Sequence, residues 1–125
     1  MLGNITHMTL NAIAQKAFEN QFDKIEVEVF CQQEHITTTD FMDRFARYIV
    51  EGYVAGHFTW LACDNAMNCL SGFMMQARLS RLPDYPWKAF LAFDAGEYHP
   101  KTPDLTPDEV TRPFIDELIA KHHIA

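Results

Sequence analysis

KIEVEVFC, Lys24 to Cys31, is the stretch on which the choice of architecture turns. Ile25, Val27 and Val29 alternate with Glu26 and Glu28, which is the period of a half-buried strand. Ile25 and Val29 also extend a helical series that runs through Leu10, Ala14, Phe18 and Phe22. A lone strand leaves a row of unpaired backbone groups, so the strand reading requires a partner. HFTWLAC, His57 to Cys63, is the one local candidate. With that pairing favoured, the chain is expected to be mainly α, a compact bundle of about five helices carrying one short strand pair, 25–31 with 57–63. The alternative is an α+β fold with a small antiparallel sheet.

Outward from this stretch the helical signals are stronger. On the N-terminal side, Thr9 to Phe22 places Leu10, Ile13, Ala14, Ala17, Phe18 and Phe22 on one face. Met8 is a candidate native start, which would make Met1 to His7 a leader outside the fold. On the C-terminal side, a polar connection, Gln32 to Thr39, leads into DFMDRFARYIVEGYVAGHFTW, Asp40 to Trp60. Phe41, Phe45, Ile49 and Tyr53 recur there near helical spacing, beside Met42, Ala46 and Val50. Asp40 precedes Arg44 by four residues, Asp43 precedes Arg47, and Arg47 precedes Glu51, the ladder of a solvent-facing helix side. This helix is expected at the centre of the core, with Thr38 or Thr39 as its N-cap and Gly56 at its C-terminus.

From Ala62 to Glu109 there is no Val or Ile, which argues against strands. Asn65 to Leu82 reads as a helix with Met67, Leu70, Met74 and Ala77 inward, although Phe73, Met75, Ala77 and Leu79 also alternate. Pro86 to Ala95 reads as a short helix between a proline and Gly96. Gly96 to Leu105 reads as a loop stiffened by Pro100 and Pro103. Thr106, Pro107, Asp108 and Glu109 form a capping box that starts the last helix, with Phe114, Ile115, Leu118 and Ile119 as its docking face. Pro113 should restart or kink it.

A chain of 125 residues has the length of one domain and can bury a core without disulfides. With 48% apolar residues, it is too hydrophobic for a disordered chain. A net charge of −7 disfavours a phosphate-tracking nucleic-acid binder, and no apolar run is long enough to span a membrane. Three cysteines, Cys31, Cys63 and Cys69, with no secretory signal point to free thiols in the cytoplasm.

The chemistry-bearing residues form no established motif. Cys63 and Cys69 are six apart, which is not zinc spacing. Asp94, Glu97 and His99 match no metal loop, and His122 and His123 diverge by about 100° on a helix. No metal and no cofactor is therefore called for. Arg78, Arg81 and Lys88 read as a solvated face. The absence of a catalytic constellation, with surplus Met and aromatic residues, suggests a non-enzymatic cytosolic protein-binding or regulatory protein, with Arg47 and Tyr48 as candidate anchors. The alternative is a small-molecule-binding protein or small enzyme with an aromatic- and Met-lined pocket near His57, Cys63 and Asp64. The segment from Pro86 to Ala95 is too broadly apolar for a helix wet on one face. Trp87 and Leu91 share one side, and Phe90 and Phe93 share another. A homodimer is expected, with Trp87, Phe90 and Phe93 as interface residues and Phe90 or Phe93 at the contact.

Overall fold

The computed structural model describes residues 7–79, 82–97 and 104–122. They form six helices: α1 Leu10–Ala17, α2 Lys24–Glu34, α3 Thr38–Val54, α4 Trp60–Gln76, α5 Asp84–Glu97 and α6 Pro107–His122. The mainly α expectation holds, but the count of about five is one short. Among the described residues there is no strand, so the 25–31 with 57–63 pair and the α+β alternative are both replaced by helix. The proposed leader, apart from His7, lies outside the described residues, as do Arg81, His99, Pro100, Pro103 and His123.

Lys24 to Cys31 is helical for a local reason and a tertiary one. Asp23 is an N-cap whose carboxylate accepts from the Ile25 amide at 2.8 Å. The helix then satisfies its own backbone without a partner. A strand would bury Ile25, Val27 and Val29 together. The helix instead buries Val27 and Phe30 and leaves Ile25 68% exposed. Glu26, half-buried, pairs with Lys16 of α1. His35 ends the helix in the left-handed conformation at φ 58°. The supposed partner stretch has its own helical role: Thr59 caps α4, accepting from the Ala62 amide at 3.1 Å, and Trp60 is the first helical residue.

The central position of α3 is as expected, but its cap is not Thr38 or Thr39. Thr37 and Asp40 form a reciprocal capping box, at 3.1 and 3.3 Å. That engages Asp40, so Arg44 reaches Glu34 of α2 at 3.4 Å. Asp43 and Arg47 do pair along the helix, at 2.7 Å. α3 packs against α1, α2, α4 and α5. At one end of the bundle, Phe41, Phe45, Phe22 and Phe73 pack ring to ring, with Phe22 edge-on to Phe45 at 5.6 Å. At the other, Tyr53 meets Phe93 of α5 edge-on at 5.1 Å. Burying a large apolar side chain of this kind contributes about 1.5–3 kcal/mol.

α5 is longer than expected, running from Asp84 through Gly96 and Glu97, where the sequence reads as a loop. α6 runs through Pro113 without interruption in helical assignment, with the ring exposed. Two polar ties, one buried at Thr111 and one partly buried at Tyr53, hold α6. The Trp60 indole N–H donates to Thr111 Oγ1 at 2.8 Å, and that hydroxyl donates to the Ala92 carbonyl at 2.8 Å, linking α4, α6 and α5. The Tyr53 hydroxyl donates to the Asp108 carboxylate, and the Arg112 guanidinium lies 4.8 Å over the same ring, linking α3 to α6. No described helix is long and apolar enough to cross a membrane.

Candidate functional site

The outer face of α5 and α6 is the best candidate. Tyr85, Ala89, Ala92, Phe93 and Gly96 make a buried stripe on α5, spaced at helical intervals. Small residues in that stripe bring α6 close: a Cβ on Gly96 would overlap Thr111 Oγ1 and lie 2.7 Å from the Pro107 carbonyl. With that side inward, Trp87 and Leu91, one turn apart, face outward at 42% and 40% exposure. Phe90 is half-buried and stacks on Trp87, with ring centroids 5.7 Å apart. On α6, Ile115 and Leu118 are buried and Phe114 is 52% exposed. A cleft of about 370 Å³ runs between the two helices, floored by Ala92 and Leu118 and walled by Leu91 and Phe114.

Charges line this cleft on both sides, Asp84 and Lys88 from α5, Glu117 and Lys121 from α6. His122 closes one end. Its Nε2 lies 3.3 Å from Asp84 Oδ2 and its Nδ1 3.1 Å from the Leu118 carbonyl. Both neighbours are acceptors, so only the doubly protonated ring donates to both. The Tyr85 ring lies edge-on to the imidazole, and the Arg47 guanidinium covers Tyr85 at 4.1 Å. Arg47 thus also borders a second cleft, between α3, α5 and α6.

The structure does not gather His57, Cys63 and Asp64 into one pocket. His57 is exposed between α3 and α4 and borders a shallow depression with Tyr48, Glu51 and Phe58. Cys63 is fully buried, its thiol directed at the Ile49 carbonyl at 4.0 Å. Burial, and then the neighbouring Asp64 carboxylate, push that thiol up to about 12, far from thiolate chemistry. Asp64 is buried near the C-terminal turn of α5, where burial and then Glu97 and Asp94 push its carboxyl up to about 7. Burial also raises the thiols of Cys31 and Cys69; all three cysteines are free. Among the described residues no group of His, Cys, Asp and Glu is arranged to hold a metal.

Of the three expected interface residues, Trp87 is exposed, Phe90 half-buried and Phe93 fully buried against Tyr53, which moves Phe93 from interface to core. Sequence reasoning separated the two sides of this helix correctly and turned the wrong one outward. The stripe of Ala89, Ala92 and Gly96 beside Phe93 was the available signal, because small residues mark where a second helix approaches. Leu91 and Phe114 were missed as surface residues. No protein-family model, no curated protein and no solved structure matches this chain.

Proposed function

We propose that this chain is a non-enzymatic, cytosolic protein-binding or regulatory protein that acts as a homodimer through the outer face of α5 and α6. The observation that carries this is the exposure of Leu91 and Phe114 on the two walls of one cleft, with Trp87 exposed one turn before Leu91 on α5. Aromatic residues and leucines grouped this way mark association surfaces, whereas singly exposed ones do not. Ile25, Leu61 and Met75 are exposed too, but Ile25 lies on α2 and Leu61 and Met75 lie at opposite ends of α4. The platform beneath the face is held by the Trp60–Thr111–Ala92 relay and the Tyr53–Asp108 tie. A surface ordered before docking loses less entropy on binding.

A second copy is the favoured occupant because the charges at the cleft are self-complementary. Each wall carries both signs, Asp84 with Lys88 and Glu117 with Lys121. A two-fold axis over the cleft lays α5 of one copy on α6 of the other, so that acid can meet base while Leu91 and Phe114 interdigitate. Free, unpaired cysteines support a reducing compartment.

Light scattering at tens of micromolar tests the reading. A dimer of 28.8 kDa, twice the 14.4 kDa chain, is expected, and Leu91→Glu or Phe114→Glu should return a folded 14.4 kDa monomer with an unchanged helical circular dichroism spectrum. A wild-type monomer at that concentration would refute it.

A further inference from the structure

Of the residues that line the cleft between α5 and α6, His122 alone also lines the cleft between α3, α5 and α6. It stands in the last turn of α6, half-buried, opposite Asp84 in the first turn of α5. The two helix ends have opposite polarity: the C-terminal end of α6 favours a cation, and the N-terminal end of α5 favours an anion. Three contacts hold the ring. Its Nε2 lies 3.3 Å from Asp84 Oδ2, its Nδ1 lies 3.1 Å from the Leu118 carbonyl, and the Tyr85 ring meets it edge-on at 5.1 Å. A neutral imidazole carries one N–H. With that proton on Nδ1, the Nε2 lone pair faces the Asp84 carboxylate; with it on Nε2, the Nδ1 lone pair faces the Leu118 carbonyl. Only the cation satisfies both contacts. The other charges around the ring are Lys88 from α5, Glu117 and Lys121 from α6, and Arg47 and Glu51 from α3. Two of these bases already have acids, Lys121 with Glu117 at 3.2 Å and Arg47 with Asp43 at 2.7 Å. Asp84 is thus the near partner of the ring.

We propose that His122 is a proton-operated latch: charged, it pins the last turn of α6 to the first turn of α5, and neutral, it releases that turn and weakens association through the outer face. The regulatory half of this rests on the reading of α5 and α6 as the dimer surface. Leu118 and Lys121, in the same turn as His122, line the α5–α6 cleft, so release loosens one wall of that surface. A wall that must be ordered on docking costs affinity. The latch is present while the ring is charged and is lost as pH rises through the range in which histidine gives up its proton, so association weakens from pH 6 to pH 8. The Asp84 side chain is 71% exposed, so added salt should weaken the latch as well. α5 and α6 are joined along their length by other contacts, so release is a local opening and not global unfolding.

Two measurements on the full chain at pH 6 and pH 8, at one ionic strength, test this. Sedimentation equilibrium should show the dimer Kd rising about fivefold or more with pH. Amide hydrogen exchange, corrected for intrinsic rates, should show protection of residues 118–122 falling over the same interval while α2 stays unchanged. The second measurement is repeated on Leu91→Glu, designed as a monomer, so that the latch is read without the dimer. His122→Ala, at a half-buried helix end with little risk to folding, should give the high-pH behaviour at both pH values, and Asp84→Asn should flatten most of the difference. A dimer with the same Kd and the same protection at both pH values overturns the latch and leaves the dimer standing. A pH response undiminished in His122→Ala also overturns it. A wild-type monomer at both pH values removes the dimer, and the latch then stands or falls on the exchange of residues 118–122.

Discussion

Asp64 shows how a single buried side chain links burial to pH dependence. Its carboxyl is raised from 3.8 to about 7 by burial and then by Glu97 and Asp94. Between those values the folded chain binds more protons than the unfolded one, so stability falls as pH rises. The contribution is fully present below about pH 3.8 and lost as pH rises through about 7. Urea denaturation of wild type and Asp64→Asn at pH 5 and pH 8 checks this. The variant should gain on wild type by on the order of 1–2 kcal/mol between the two pH values, a discounted share of the full linkage. A constant difference between the two proteins would contradict it. The environment of Asp64 is not legible in the sequence: His57, Cys63 and Asp64 are near in the chain, whereas the charges that raise the Asp64 carboxyl come from the end of α5. A helix turns adjacent residues about 100° apart, so neither Cys63 nor Asp64 can be expected to share a site with the other.

The same logic at the scale of an element separates two glycines that look alike in sequence. Gly72 lies inside α4 with open space where a Cβ would sit. Gly72→Ala should stabilise the protein by about 0.5–1 kcal/mol through helix propensity. Gly96 lies inside α5, where a Cβ would meet Thr111, the Pro107 carbonyl and, at 2.9 Å, Trp60 Nε1. Gly96→Ala should cost about 1–3 kcal/mol as overpacking, more if the Trp60–Thr111–Ala92 relay parts. Thermal melts of the two variants should therefore move in opposite directions. Two shifts of the same sign would mean that α5 and α6 do not approach as closely as described.

For the whole molecule, the two sides of α5 make opposite predictions. Phe93 is fully buried against Tyr53, so Phe93→Ala should cost about 3–5 kcal/mol in chemical denaturation. Leu91 is 40% exposed, so Leu91→Ala should cost under about 1 kcal/mol in the monomer and weaken association instead. Comparable losses at both positions would place Leu91 in the core and remove the proposed interface. That contrast is invisible in the composition of α5, whose apolar residues point to all sides. It appears only once α3, α4 and α6 occupy one of them.

The sequence by itself determined what is local: helical content, the central position of α3, the start of α6 at Thr106 and Pro107, and the ion pair between Asp43 and Arg47. Helix caps, prolines and four-residue spacings act within a turn or two and need no distant partner. Only the tertiary structure decided that Lys24 to Cys31 is helix, that Phe93 faces inward while Leu91 and Phe114 face outward, and that Asp64 is buried. The hydrophobic pattern of KIEVEVFC fits both periods, and that of α5 fits two orientations. Such ties are broken by which surface a neighbouring helix can approach, here where Ala89, Ala92 and Gly96 leave room, and that depends on contacts between residues far apart in the chain.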